Sequence, residues 1–207
     1  MRYQQSDPDV RLMLRVKEDD AAAFETLVRR YQTRLVRLMQ HMGPREMAED
    51  LAQETFLRVY RARTRYEPGA KFATWLYTIA GNVARNANRS AGRRNEVIEV
   101  DAPLGNDSAG GMMLASAATD ESGMMPTRLV EKTERADIVR QAIEQLGSRQ
   151  RMALMLSRFE NLSYAEIAEA MGLSSKAVKS LLSRARVNLR EILQPYIDAG
   201  VIPQEPK

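Results

Sequence analysis

The chain has 207 residues, 44% of them hydrophobic and 28% charged, which is ordinary for a globular protein of one large domain or two small ones. Its sequence contains no cysteine and a single histidine, His41, which excludes disulfides, thiolate zinc sites and histidine-rich metal sites. The formal net charge of +4 is a modest excess that suits a polyanionic partner.

No uninterrupted apolar run approaches the roughly 20 residues that span a bilayer. The first ten residues, MRYQQSDPDV, also lack the apolar core of a signal peptide. We therefore expect no membrane insertion and a protein that stays where it is made. The lack of cysteine fits a reducing, cytoplasmic setting.

Four helices are predicted in the first 95 residues, from apolar side chains that recur at three- and four-residue steps. The first begins after an Asp7 cap, and the second spans Phe24 to Met42. The third runs from about Arg45 to Tyr66, and the fourth runs from about Lys71 to Ala91, where Gly92 stops it. No sustained alternation of apolar and polar residues occurs, so no strand is predicted.

The composition changes after the fourth helix. Residues 96–126 are rich in Gly, Ser, Ala and acidic side chains and contain no Lys or Arg, which predicts a flexible acidic linker. Its paired methionines, at 112–113 and 124–125, either bind a groove on a partner or are incidental to a loop. The linker divides the chain into predicted domains at 1–95 and 127–207.

The second domain is also predicted to be helical. One helix opens at Pro126 and ends at Gly147, Ser148 caps the next, and Ser163 with Glu166 forms a capping box for a third. Ser174 caps a final helix that reaches about Gln194, before Pro195. The predicted fold class is therefore all-α, with two small helical domains joined by a flexible linker.

The spacing within LSYAEIAEAMGLSSKAVKSLLSRAR is typical of a helix-turn-helix. Ala168 is small where two helices would cross, Gly172 suits a turn of positive φ, and Val178 would hold the second helix inward. In this register the outward side chains are Ser174, Ser175, Lys176, Lys179, Ser180, Ser183 and Arg184. Hydroxyls and cations suit base edges and phosphates, so we favour DNA binding over a hairpin with a solvated basic face.

Two segments of the first domain suggest further interfaces. In DLAQETFLRVYRA, a core-facing stripe leaves Asp50, Gln53, Glu54, Leu57 and Arg58 on another face, which is either a protein contact or a solvated surface. In residues 72–94, aromatic residues come first, and arginines with interleaved asparagines follow. Rings that stack and amides that read a base edge suit single-stranded DNA, although Trp75 is equally suited to the core.

Together with the helix-turn-helix, DLAQETFLRVYRA and FATWLYTIAGNVARN resemble bacterial RNA polymerase sigma factors of the extracytoplasmic-function group, close to the RpoE-like members of the sigma-70 family. The resemblance implies a dissociable subunit that directs core RNA polymerase to promoters. It implies no chemistry of the subunit's own, with no catalytic residue and no cofactor or metal.

The resemblance also assigns roles to residues. Asp50, Gln53 and Glu54 match the contact with the coiled-coil clamp of the largest polymerase subunit. The minus-ten element would be melted and read by a set that comprises Trp75, Tyr77, Asn82, Arg85, Asn86 and Arg89. The helix-turn-helix would read the minus-thirty-five element, chiefly through Lys179, Ser180, Ser183 and Arg184. An anti-sigma factor that clamps both domains until stress releases it is an expected partner.

Two other classes of function remain open at this point. A stand-alone transcriptional regulator would use the helix-turn-helix alone and its first domain to dimerise or sense a ligand. A DNA-processing enzyme such as a recombinase would need an activated nucleophile or clustered metal-binding carboxylates. Glu49 and Asp50 are neighbours that point about 100° apart on a helix, so they cannot grip one ion together.

Overall fold

The structure, a computed structural model, describes residues 7–101 and 126–202, without the side chains of 92–101 and 126–133. Within these ranges the secondary structure is entirely helical, which confirms the all-α prediction. The α-helices are α1 (Pro8–Lys17), α2 (Ala21–Met42), α3 (Ala48–Arg61), α4 (Phe72–Asp101), α5 (Pro126–Glu144), α6 (Ser148–Arg158), α7 (Tyr164–Met171) and α8 (Ser175–Asp198). None of them offers a long enough apolar stretch to cross a bilayer.

Helices α1 to α4 pack on one another around an aromatic-rich core. Aspartates start the first two helices, because Asp7 accepts a hydrogen bond from the Asp9 amide at 2.9 Å and Asp20 accepts one from the Ala23 amide at 3.0 Å. Tyr31 lies edge-on to Phe72 with 5.4 Å between ring centroids, which ties α2 to the start of α4.

The third predicted helix is shorter than the sequence pattern suggested. Only Ala48–Arg61 is α-helical, and single 3₁₀ turns lie at Arg45–Met47 and Arg63–Arg65. The Arg63 guanidinium donates to the Tyr60 carbonyl at 3.1 Å and to the Asp19 carboxylate at 2.6 Å. These bonds hold Arg63 in the tighter turn, and the one to Asp19 joins residues 44 apart, so local pattern could not predict it.

Three other expected helix boundaries were wrong. Helix α4 continues past Gly92 to Asp101, because one glycine costs a helix only about 1 kcal/mol relative to alanine. Helix α8 contains Pro195 near its end, where a missing N–H removes just one hydrogen bond of the ladder. Ser148 is the first residue of α6 rather than its cap, a position that Gly147 fills without a side-chain bond.

The second half consists of α5 to α8, with α8 packed against the other three. The two halves touch: α7 lies on α4, and α6 lies on α2. Their buried side chains form one continuous cluster. The domain boundaries that we expect, at 95 and 127, stay a prediction, and most of the expected linker lies outside the described residues.

Candidate protein and nucleic-acid interfaces

Helix α3 presents the acidic face that the sequence predicted. Leu51, Phe56 and Val59 are buried, whereas Asp50 and Gln53 are exposed and Leu57 keeps 50% of its surface exposed. Glu54 is half-buried and pairs with Arg58 at 2.7 Å, one helical turn away. We call Asp50, Gln53, Glu54 and Leu57 the α3 surface. It is an exposed apolar side chain framed by carboxylates and an amide, which suits a protein partner.

The exposed side of α4 carries two arginine–asparagine pairs. Arg85 donates to the side-chain oxygen of Asn82, and Arg89 donates to that of Asn86 at 2.7 Å. All four side chains are exposed, at helical spacings that place them on adjoining faces. An asparagine whose oxygen accepts from a cation keeps its amide N–H groups for a base or a phosphate.

Trp75 is half-buried in a small aromatic cluster, with ring centroids 4.8 Å from Tyr66 and 6.2 Å from Phe72. With Tyr66 and Thr74 it lines a cavity of about 120 Å³. The hydroxyls of Tyr66 and Thr74 are buried and find no partner within the described part of the chain. The sequence analysis did not name Tyr66 or Thr74 as candidate site residues. The only sequence signal for a site here was the Pro68-Gly69 turn close to an aromatic residue.

Tyr77 requires a correction. We expected this side chain to face DNA, but it is fully buried and its hydroxyl donates to the Glu160 carboxylate. Burial and the nearby Glu160 charge raise the pKa of Tyr77 far above its usual value. Residues 72–94 lie on a single helix, and the spacing of residues along one helix could not show that the Tyr77 ring points toward the second half of the chain.

Helices α7 and α8 have the predicted helix-turn-helix geometry. Glu166 accepts from the Ser163 amide at 2.7 Å and the Ser163 hydroxyl accepts from the Glu166 amide at 3.3 Å, which completes the capping box. Gly172 has φ +64° and ends α7 in the left-handed region. Ser174 then starts α8 by accepting from the Ala177 amide at 3.2 Å.

Burial fixes the orientation of α8. Val178, Leu182 and Ala185 are buried against the rest of the second half. Every side chain that we predicted to read bases or bind phosphates from the helix-turn-helix is exposed, namely Ser174, Ser175, Lys176, Lys179, Ser180, Ser183 and Arg184. Arg184 donates to the Ser180 hydroxyl at 3.2 Å, so the two share one patch. We call this set the α8 surface.

Glu166 illustrates how the second half meets the first. Burial opposes its ionisation, but hydrogen bonds from Lys71 and Ser163 outweigh burial and hold the pKa of the carboxyl below its usual value. The Lys71 ammonium lies 2.7 Å from the Glu166 carboxylate. Lys71 directly precedes α4, so this ion pair joins the two halves.

Two family models match the chain. Residues 27–94 match sigma-70 region 2, and residues 136–189 match sigma-70, region 4. The sigma-E factor of Escherichia coli (strain K12), described as an ECF RNA polymerase factor, is 35% identical over 90% of this chain and 94% of its own length. The chain belongs to the extracytoplasmic-function sigma factors of the sigma-70 family.

The RNA polymerase sigma-H factor of Pseudomonas aeruginosa is equally similar, at 35% identity over 92% of this chain and 96% of its own. These matches confirm the resemblance read from the sequence motifs. The protein is a sigma factor that functions in transcription initiation, and its family is not one of catalytic enzymes.

Solved structures share the fold. The sigma factor RpoE of Bartonella quintana, solved with the anti-sigma factor NepR, matches with a TM-score of 0.60 and 25% identity over 83% of this chain and 96% of its own. CnrH, solved with the cytosolic domain of CnrY, matches with a TM-score of 0.64 and 23% identity over 91% of this chain and 99% of its own.

Proposed function

We propose that the α3 surface is where this sigma factor binds the coiled-coil clamp of core RNA polymerase. The supporting observation is Leu57, half of whose surface is exposed beside Asp50 and Gln53 on a helix whose opposite side is fully packed. Burying such a leucine against a partner contributes hydrophobic free energy, and the surrounding acids select a basic partner surface.

The two DNA-facing surfaces divide the promoter between them in this proposal. The exposed side of α4, with Asn82, Arg85, Asn86 and Arg89, reads the minus-ten element as strands separate, and Trp75 borders the cavity beside it. The α8 surface lies in the major groove at the minus-thirty-five element, with Lys179 and Arg184 as its main cations.

The proposal extends to the setting in which the protein works. It acts on polymerase in the cytoplasm and carries no chemistry of its own, because polymerase supplies the catalysis. The Bartonella relative was solved with an anti-sigma factor. By analogy we propose that an anti-sigma factor regulates this chain by covering the polymerase-binding surface.

A reconstituted transcription reaction tests the proposal. Genomic fragments are transcribed by bacterial core RNA polymerase with and without the purified chain, and the 5′ ends of the run-off products are mapped. We expect new, defined start sites that depend on the chain. A stand-alone regulator would instead bind duplex fragments without polymerase and leave the start sites unchanged, which would refute the proposal.

A further inference from the structure

Helix α1 lies outside the residues that match sigma-70 region 2, since that match begins at residue 27. It is nevertheless part of the core of the first half, because Val10, Met13 and Val16 are fully buried. Its polar groups, and those of the turn after it, reach residues 62–71, which join α3 to α4. We call residues 62–71 the α3–α4 connection.

Two side chains near the end of α1 hold the α3–α4 connection at its start and in its middle. The Asp19 carboxylate accepts from the Arg63 guanidinium at 2.6 and 2.8 Å. The Lys17 ammonium donates to the Tyr66 carbonyl at 3.0 Å. These contacts join residues 44 and 49 apart in the chain, so they fix the connection against α1 rather than shape a local turn.

Asp7 holds the end of the connection, where α4 begins. One of its carboxylate oxygens accepts from the Asp9 amide at 2.9 Å, in the first turn of α1. The other oxygen accepts from the amide of Phe72, the first residue of α4, at 3.2 Å. One carboxylate therefore satisfies amides at the starts of two helices and fixes these starts relative to each other.

Both partners of the Asp19–Arg63 ion pair are also ordered by other contacts. Asp19 has φ +65°, and the neighbouring Asp20 caps α2, which fixes the turn between α1 and α2. The Arg63 guanidinium lies 4.1 Å from the centroid of the Tyr60 ring and donates to the Tyr60 carbonyl. An exposed ion pair contributes little when it must order two flexible side chains, but here much of that entropy is already lost.

The α3–α4 connection forms part of the wall of the cavity beside Trp75. The residues of the connection that line this cavity are Tyr66, Glu67, Gly69 and Ala70. The Tyr66 ring centroid lies 4.8 Å from that of Trp75, so the backbone position at Tyr66 affects where the Trp75 ring lies. A binding side chain must be held within about 0.5 Å of its working position. The connection therefore supports the start of the helix that would read the minus-ten element.

We propose that α1 and the turn after it are a positioning element for minus-ten reading, in which Asp7, Lys17 and Asp19 hold the α3–α4 connection in one arrangement. These residues act through the connection and do not themselves contact DNA. The inference rests on the proposed function for what the helix reads, whereas the contacts that hold the connection need no partner.

Hydrogen exchange on the free, full-length chain tests whether α1 holds the connection. Lys17→Met removes the donor to the Tyr66 carbonyl and keeps the length of the side chain. Amides of the connection, such as that of Tyr66, which donates to the Arg63 carbonyl at 3.1 Å, should then exchange about two- to tenfold faster. Mass spectrometry of the peptides that cover residues 62–72 measures this rate, and peptides from α8 should be unchanged.

Three further variants make the exchange experiment specific. Asp19→Gly removes the acceptor of Arg63 and should also accelerate exchange, and glycine suits the φ of +65° at this position. Lys17→Arg keeps a donor and should restore slow exchange. Arg11→Met removes another exposed cation of α1 and should have no effect. Lys17 and Asp19 are exposed, so we expect folded variants, which thermal melts followed by circular dichroism check.

Transcription with bacterial core polymerase measures the consequence for promoter reading. A promoter that the parent chain uses is randomised at its minus-ten or its minus-thirty-five element, and transcribed barcodes count the product of each template. Lys17→Met and Asp19→Gly should both reduce discrimination among minus-ten bases about two- to tenfold and leave discrimination at minus-thirty-five unchanged. The salt dependence of promoter binding should keep its parent value, because no phosphate contact is lost.

Unchanged exchange in both Lys17→Met and Asp19→Gly, or equal acceleration in Arg11→Met, would overturn the positioning role. Faster exchange with unaltered minus-ten discrimination, or with equal losses at both elements, would overturn the link to minus-ten reading. Lys17→Met lowers the net charge and Asp19→Gly raises it, so opposite effects on promoter binding would indicate direct contact with DNA and refute the proposal. If no transcript depends on the parent chain, the proposed function fails, and the exchange rates alone decide whether α1 holds the connection.

Discussion

The α3 and α8 surfaces are both exposed helix faces over buried cores, yet their chemistry is opposite. The α3 surface combines carboxylates and an amide with an exposed leucine, whereas the α8 surface combines lysines and an arginine with serines. A leucine gains by leaving water at a protein contact, and hydroxyls with cations gain by meeting phosphates and base edges. The contrast supports our proposal that one chain divides a protein partner and a nucleic-acid partner between two helices.

The largest effect is expected from reversing charge on the α3 surface. Asp50→Arg with Glu54→Arg should weaken binding to core polymerase about 100-fold or more, because attraction to the partner becomes repulsion. Fluorescence anisotropy of labelled protein titrated with core polymerase measures this loss. Glu18→Arg with Glu25→Arg changes the net charge equally at exposed positions outside α3, and comparable weakening there would refute the assignment of polymerase binding to the α3 surface.

Removing cations from the α8 surface should weaken DNA binding alone. Lys179→Ala with Arg184→Ala should lower the affinity of the complex with core polymerase for promoter duplex about 10- to 100-fold and reduce the salt dependence by roughly two phosphate contacts. Polymerase binding should persist. The matched variant Arg11→Ala with Arg29→Ala removes two exposed arginines from the first half and should leave duplex affinity unchanged. Equal losses in both variants would mean that net charge, rather than this surface, determines binding.

A smaller effect is expected where backbone geometry supports the α8 surface. Gly172→Ala should lower the free energy of unfolding by about 1–2 kcal/mol, because φ +64° is strained for any residue with a Cβ atom. No atom lies within 4 Å of the added methyl, so strain is its only cost. Gly69→Ala also adds a methyl in open space but without positive φ, and urea denaturation should show little change there. Equal effects at both positions would contradict the strain argument.

The smallest expected effect is a pH dependence that spares both surfaces. Burial lowers the pKa of His41, with Glu144 opposing the shift and Arg151, Arg140 and Arg45 adding to it. A lowered folded-state pKa means that the unfolded chain binds the proton more readily. The stability is therefore full above about pH 6.5 and declines as pH falls toward the folded-state value.

Denaturation curves between pH 5 and 8 measure this decline, and His41→Gln should flatten it over that range. His41 is the only histidine of the chain and lies on neither surface. A decline that persists in His41→Gln would assign the titration to another group.

Apolar periodicity was sufficient to predict which side chains are exposed wherever a helix buries one face and exposes the other. It predicted the exposed Asp50 and Gln53 and the exposed Lys179 and Arg184, because burial of an amphipathic helix needs only an apolar stripe. It failed where a contact joins distant residues. Arg63 lies in a 3₁₀ turn, where its guanidinium donates to Asp19. Tyr77, which we expected to contact DNA, is a buried hydrogen-bond donor to Glu160. The particular role of each surface residue stays a prediction.

The sequence by itself determined the helical class, the capping box at Ser163, the left-handed turn at Gly172 and the two charged surfaces. These depend on local hydrogen bonds, backbone sterics and apolar spacing, which are properties of a few neighbouring residues. Only the tertiary structure decided that α7 lies on α4 and that Glu160 is buried beside Tyr77. That contact joins residues 83 apart in the chain, and its stability comes from shape and pairing that no local pattern contains.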